Sequence, residues 1–282
     1  MSYEQAVVAH YDKVAEVYGD SPSSTMEDLI IREKETKEIT DVVARYIAHR
    51  RCEYYDGPDR KHNLRIADIG CGNGYTLSVW EPMFRDPTKH EYIGGEFNDK
   101  LLAIAKQRLN PLGIQAQKVD IRDKATLPNE LDVLICQRVL INLLDINDQQ
   151  KALINLIDAV KPGGLLVFIE VMQSGLDNLN AARAEFDLPP IPPAHHNLPL
   201  PDGFFNHPAL TEWGKRLPRN FLSSHYFVSR VFDAAMRKAT KTDFVRNSHF
   251  VKFFSGCLEK PVGDYAPLQG FAFLKQYEKR NW

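Results

Sequence analysis

From residue 64 to residue 172 short apolar runs alternate with segments of helical length. The runs are LRIADIG, EYIGGEF, IQAQKV, LDVLIC and GLLVFIEVM, separated by stretches such as NDKLLAIAKQRLN and INDQQKALINLIDAV. A strand buried on both faces reads as a near-continuous apolar run, and parallel neighbours must be joined by a crossover, usually a helix. The alternation therefore predicts right-handed crossovers and a mainly parallel, doubly wound α/β sheet covered on both faces. In the first helical segment Leu101, Leu102, Ile104, Ala105 and Leu109 form an apolar face, with Asn98 as N-cap. In the second, Leu153, Ile154, Leu156, Ile157 and Val160 do the same before KPGG ends it.

The flanks read differently. Residues 1 to 50 predict two helices, one carrying HYDKVAEVY and one running through EDLIIREKETKEITDVVARYIA. Eight of the seventeen prolines fall between 187 and 218, where neither a helix nor a central strand can continue, so a long loop is expected there. Beyond it FLSSHYFVSRVF reads as a strand, SHFVKFFSGCLEK as a helix and GFAFLKQ as a last strand. Three parts follow: residues 1–50 as a helical lid, 51–172 as the core, and 173–282 as a substrate-binding insert plus the last strands. A net charge of −2 offers no electrostatic footprint for nucleic acid or a membrane surface. Cys52, Cys71, Cys136 and Cys257 form no C-x-x-C pair, so neither a zinc site nor a disulfide framework is indicated. With a polar N-terminus and no apolar run of about 20 residues, the expectation is a cytoplasmic, reduced, soluble protein.

Three glycines, Gly70, Gly72 and Gly74, stand at every second position of RIADIGCGNGYT, between the first strand and the next helix. That is where an open α/β sheet binds ligands, and bare backbone there lets a ligand approach the main chain. The spacing is G-x-G-x-G, not the G-x-G-x-x-G of a dinucleotide cradle. Asp68, just before the loop, disfavours a phosphate and suits a cationic ligand or a ligand amine.

With these residues in place, IADIGCGNGYT resembles motif I of the class I S-adenosylmethionine-dependent methyltransferases. The resemblance implies their Rossmann-like, seven-stranded sheet and S-adenosylmethionine as cofactor, with S-adenosylhomocysteine as product. It implies cofactor contacts from Asp68, Gly70, Cys71, Gly72 and Gly74. In YIGGEFN, Glu96 matches the acid that chelates the ribose hydroxyls, and Phe97 the apolar side chain on adenine. In KVDIRD, Asp120 matches the acid that takes the adenine amine, and the backbone N–H of Ile121 the contact to the ring. LDVLICQRVLINLLD resembles the fourth strand and its loop, placing Gln137 and Arg138 at the methyl-transfer face, and AVKPGGLLVFIE resembles the segment before the fifth strand. HYDKVAEVYGD is similar to the N-terminal helix of small-molecule methyltransferases, which closes over the cofactor. Tyr11 and Tyr18, two helical turns apart, then share the face toward the sulfonium, and Arg32 is a candidate for the methionine carboxylate. Beyond residue 171, with RVLINLLD and KPGG before it, the wording IEVMQSGLDNLN, YFVSRVF and GDYAPLQGF is similar to bacterial methyltransferases of surface-polysaccharide and other tailoring pathways.

Methyl transfer from a sulfonium is an in-line displacement in which orientation does most of the work. A hydroxyl acceptor also calls for a base. One of His195, His196 and His225 is expected to supply it. Arg138, Arg183 or Arg230 would bind an anionic acceptor. No metal constellation is visible, because His207, His249 and the scattered carboxylates lack ligand spacing. The expected activity is O-methylation of a small or sugar-linked acceptor. Alternatives are transfer to an amine held by Glu170 or Asn142, and a non-catalytic member of the fold that binds a partner. A nicotinamide dehydrogenase is opposed by the glycine spacing, and a nucleic-acid methyltransferase by the missing basic stripe and N-P-P-[YF] motif. A homo-oligomer is left open.

Overall fold

A computed structural model describes residues 3–53, 63–83, 90–213, 217–258 and 260–277. The Cys52 side chain and residues 214–216 of the proline-rich window lie outside what is described. At the centre, β1 (Arg65–Ile69) pairs in parallel with β2 (Glu91–Glu96) on one side and β4 (Leu131–Gln137) on the other. Next come β3 (Gln115–Lys118) beyond β2 and β5 (Val160–Val171) beyond β4, both parallel. β7 (Leu268–Lys275) runs antiparallel to β5, and the short β6 (Leu210–Glu212) pairs antiparallel with β7 at the edge. The order is β3-β2-β1-β4-β5-β7-β6, a mainly parallel seven-stranded sheet. The chain winds outward from β1 to β3 and then returns to β4, so β1 and β4 flank the point where a doubly wound sheet opens a crevice.

The apolar runs bury both faces by strict alternation. Ile66, Val133, Ile135, Leu165, Val167 and Ile169 face one layer, built by α2 (Leu29–Glu53), α3 (Tyr75–Met83) and α4 (Asp99–Leu109). Their neighbours Ala67, Leu134, Cys136, Leu166 and Phe168 face α5 (Ile146–Ala159). The predicted cap forms: Asn98 accepts from Leu101 N–H at 3.0 Å, and α4 buries Leu101, Leu102, Ala105 and Leu109. On α5 the face is narrower than expected, because Ile154 is 49% exposed and Val160 already belongs to β5. Part of that layer is completed instead by the proline-rich window, whose Phe205 ring packs 4.8 Å from Phe168 and 4.6 Å from Phe271.

One predicted element is the wrong type. FLSSHYFVSRVF is not a strand but the start of a continuous helical stretch: α7 (Ser223–Tyr226), a π-turn over Phe227–Phe232, and α8 (Asp233–Thr240). Leu222, His225, Val228 and Val231 are all buried, a three-residue recurrence that only a helix satisfies. Val231 meets Leu179 and Ala182 of α6 (Gln173–Ala184), and His225 meets Ser255 of α9 (His249–Cys257). Tertiary packing thus overrides the β-propensity of the aromatic and branched residues. No described helix is long and apolar enough to cross a membrane.

α1 (Tyr3–Tyr18) lies across α4, held by Asn98 Nδ2 donating to Asp12 at 2.7 Å and by Lys100 against Glu16 at 2.6 Å. That places it over the carboxyl ends of the strands.

Candidate active site

A cleft opens at the carboxyl ends of β1, β2 and β4 and is covered by α1. Its floor is the glycine loop. Gly70 (φ +81°) turns the chain so tightly that a Cβ would sit 2.1 Å from Val139 Cγ2, and Gly72 (φ +57°) faces Thr25. Gly74 (φ +77°) does not line the cleft; a Cβ there would meet Leu109 at 2.9 Å, so this glycine lets α3 and α4 approach. The first N–H groups of the loop are spent internally. Gly70 and Cys71 donate to Gly95 O at 2.7 and 3.0 Å, and Gly72 donates to Glu96 Oε2 at 2.8 Å. A loop so committed is no anion cradle.

The charge of the cleft follows the same logic. Asp68 and Glu96 are both buried beside the loop, and burial pushes each carboxyl up to about 7. For Asp68 the neighbouring Glu96 adds to the shift, while Arg32 and Arg138 oppose it. For Glu96 the N–H groups of Asn98 and Gly72 oppose it. Asp68 Oδ1 has no hydrogen-bond partner although it is buried. Two buried carboxylates, one with an orphaned oxygen, suit a ligand that brings positive charge and hydroxyl or amine donors.

Phe97, Asp120 and Ile121 line the next part of the cleft. Asp120 is paired with Arg122 (Nη2 to Oδ2, 2.7 Å); burial raises its carboxyl, but the guanidinium wins and holds it low. Lys118 and Arg122 also stand over the Phe97 ring, at 4.9 and 5.7 Å from its centroid. Gln137, Arg138, Val139 and Asn142 form the far wall. Arg138 adopts φ +55° and forms a buried ion pair with Glu35. Arg32 is not the solvated surface residue its helix position suggests. It is 8% exposed, lines the cleft, donates to Thr25 Oγ1 at 2.6 Å and leaves Nε unpartnered. Burial pulls its guanidinium down to about 10, Arg138 adding to the effect.

The two tyrosines part company. Tyr11 lines the cleft, and its hydroxyl accepts from Asn142 Nδ2 at 3.0 Å; burial pushes it up to about 12. Tyr18 does not line it and donates to Glu27 at 2.8 Å at the surface.

The histidines also separate. His225 is away from the cleft, fully buried, with Nδ1 at 2.8 Å from Ser255 Oγ and Nε2 at 3.1 Å from Asp28 Oδ2. Both ring nitrogens are engaged, which leaves it no reach to an acceptor. Arg230 also pairs with Asp28, at 2.9 Å, and Arg183 donates to the carbonyls of Pro189 and Arg230. Both arginines thus serve the fold rather than an anion. His195 and His196 do not line the cleft themselves but stand behind Tyr11, which does, in company with His10 of α1, which the sequence reading left out. His196 stacks on His10 at 3.7 Å between centroids and lies 6.0 Å from the Tyr11 ring. Burial and the neighbouring imidazoles bring His196 down to about 4, and burial first, then His195 and Lys13, lower His10. The expectation that no metal-type grouping exists is overturned to this extent: the three imidazoles lie together. His10 is separated from His195 by most of the chain, so no local spacing could reveal the group. Glu170, a candidate to hold an amine, is occupied by the N–H groups of Val139, Leu140 and Ile141 at 3.0, 3.1 and 3.4 Å.

Residues 66–164 match the family described as "Methyltransferase domain". Among solved structures, the chain resembles an amino pentose methyltransferase from Micromonospora echinaspora of calicheamicin biosynthesis, bound to S-adenosylmethionine. Identity there is 25%, over 48% of this chain and 48% of that one, with a TM-score of 0.36. The match thus spans about half the length of that enzyme. It also resembles an S-adenosylmethionine-dependent methyltransferase from Clostridium acetobutylicum (16% identity, 61% of each chain, TM-score 0.41). A third is an N-methyltransferase from Bradyrhizobium japonicum in complex with S-adenosylhomocysteine (18% identity, 60% of this chain and 74% of that one, TM-score 0.42). No curated protein matches the chain. With the sheet order, the glycine loop and the paired carboxylates already in view, residues 66–164 are thus similar to a methyltransferase domain carried on a seven-stranded, mainly parallel sheet.

Proposed function

We propose that the protein transfers a methyl group from S-adenosylmethionine to an oxygen of a small or sugar-linked acceptor. The observation that carries this reading is the far wall of the cleft. There the Tyr11 hydroxyl and the Asn142 amide meet, the His196 ring stands 6.0 Å from the Tyr11 ring, and Glu170 is occupied by backbone N–H groups rather than open to an ammonium group.

When bound, the cofactor supplies an activated methyl group on a positively charged sulfur. Asp68 and Glu96 would accept from its amine and hydroxyl groups, Arg32 would face its carboxylate, and Phe97 and Ile121 would flank its ring. Tyr11 and Asn142 orient the acceptor, and α1 excludes water from the reacting atoms. The His10, His195 and His196 cluster promotes loss of the acceptor proton, which leaves to solvent. The glycine loop, whose first N–H groups are already engaged by Gly95 and Glu96, also opposes binding of a phosphate-rich nicotinamide cofactor.

Calorimetric titration with S-adenosylhomocysteine, with NAD in parallel, tests the cofactor. Mass spectrometry of products from labelled donor and panels of hydroxylated, carboxylated and amine acceptors tests the acceptor atom. Saturable binding of the homocysteine compound with label on an oxygen supports the reading. Label on a nitrogen moves the activity to the amine alternative, and binding without turnover over the whole panel moves it to a partner-binding role.

A further inference from the structure

The three imidazoles behind Tyr11 come from two unrelated segments. His10 projects from α1, and His195 and His196 occupy the two corner positions of a turn closed by Asn197 N–H donating to Ala194 O at 2.8 Å. In an extended chain consecutive side chains point apart; the turn instead brings both rings to one side, 4.9 Å between centroids. The prolines before it and two anchors after it hold the turn in place. Leu198 N–H donates to Ile141 O at 2.7 Å, and Gln149 Nε2 donates to Leu198 O at 2.9 Å. The turn is therefore docked on the loop that follows β4, against the wall that carries Asn142.

One ligand-type nitrogen from each of His10, His195 and His196 lies within 4.8 Å of the other two. Tetrahedral zinc with bonds of about 2.0–2.1 Å needs its nitrogens ~3.4 Å apart, so the three rings must draw together to hold such an ion, and His195, the exposed one, has room to turn. His196 Nδ1 is buried and has no hydrogen-bond partner. An orphaned imidazole nitrogen beside two other imidazoles is an unmet polar cost that a shared cation removes.

We propose that His10, His195 and His196 bind one divalent transition-metal ion of the zinc class, tying the lid helix to the proline-rich turn. Imidazole-only donors select zinc, cobalt, nickel or copper over magnesium and calcium, which take oxygen ligands. Three protein ligands leave a coordination position open, as catalytic rather than structural zinc sites do. Beside Tyr11 that position takes water or an oxygen of the acceptor. This deepens the methyl-transfer reading, on which the assignment of the acceptor oxygen rests: the metal lowers the pKa of the bound hydroxyl, and its proton leaves to solvent. The metal site itself stands on the geometry alone.

The test uses the untagged full chain, stripped with chelator and titrated with Co²⁺ and Zn²⁺. The expected result is one ion per chain, with visible cobalt absorption of a tetrahedral nitrogen site and displacement by Zn²⁺. His10→Gln, His195→Gln and His196→Gln should each weaken binding at least tenfold. His207→Gln, on the same long loop but outside the cluster, should leave it unchanged. Hydrogen exchange should slow in residues 3–18 and 189–200 when metal is added. S-adenosylhomocysteine affinity, measured on every variant, confirms folding and tests the cofactor reading separately. No stoichiometric binding, or binding that survives all three substitutions, overturns the metal site and leaves the methyl-transfer reading standing.

Discussion

Asn142 donates from Nδ2 to the Tyr11 hydroxyl across 3.0 Å, joining the lid helix to the loop after β4 at the wall of the cleft. The same amide also donates to Arg138 O at 2.8 Å, and its own Oδ1 is buried without a partner. The pair therefore sets the lid's closed position and leaves one acceptor for a substrate group. Tyr11→Phe should lower turnover about fivefold, the worth of a hydrogen bond of ~1 kcal/mol, while S-adenosylhomocysteine affinity stays within about twofold. Steady-state kinetics with calorimetry checks this; an equal loss in both would place Tyr11 in cofactor binding instead.

Asp68 and Glu96 face the cleft from the ends of adjacent strands. Asp68→Ala and Glu96→Ala should each weaken S-adenosylhomocysteine binding about 10- to 100-fold, as expected for hydrogen bonds to a charged group worth ~1.5–3 kcal/mol. Calorimetry on variants with cooperative melting measures it. Undiminished affinity would remove the residue from the site.

The same burial makes stability depend on pH. Asp68, Glu96 and Glu170 hold their protons up to about 7 in the folded chain, against ordinary values of 3.8 for Asp and 4.5 for Glu. The folded state thus binds more protons than the unfolded one between those limits. The stability these groups contribute is fully present below pH ~4 and is lost as pH rises through ~7. Without ligand, the melting temperature should fall between pH 5.5 and pH 8 by the part these groups control, and Asp68→Asn should flatten that slope. A cationic ligand that needs both carboxylates ionised should release protons on binding near pH 6.5, visible as a dependence of the binding enthalpy on the buffer's ionisation heat.

His225, Asp28, Ser255 and Arg230 form a buried network that joins the segment before α2 to α7 and α9. Burial alone would raise the Asp28 carboxyl, but His225 and Arg230 hold it well below the ordinary range. Removing one member leaves the others buried and unpaired, so Asp28→Ala should cost about 3 kcal/mol of stability. His225→Ala should destabilise in the same sense. Denaturant unfolding measures the loss, and the cofactor affinity of the folded fraction should be unchanged. A loss of turnover without loss of stability in His225→Ala would return that histidine to the list of bases.

Much of the core was legible because its signals are local. The apolar runs of β1, β2, β4 and β5, the cap at Asn98, and the glycine loop each depend on residues within one turn or strand of each other. Phe221–Phe232 was misread because Phe, Val and Tyr favour strands in isolation, while the packing of Val231 on α6 and of His225 on α9 selects a helix. Ile154 belongs to an apolar stripe by period, yet α5 is rotated so that it meets solvent. Arg32, a candidate from the resemblance, is buried with Thr25 Oγ1 and the Tyr75 ring against it, contacts that no pattern within its helix could show.

By itself the sequence determined the alternation of strands and helices between residues 64 and 172 and the bare-backbone turn after β1. Those depend on periodicity and on the conformations glycine alone tolerates, while Glu96 and Asp120 were singled out by the family resemblance. Only the tertiary structure decided which side chains share a space. It placed His10 beside His195 and His196, set Tyr11 against Asn142, sent Tyr18 to the surface and buried His225 between Asp28 and Ser255. Such contacts join residues tens to hundreds of positions apart, and their partners are selected by how whole elements pack rather than by any pattern within one of them.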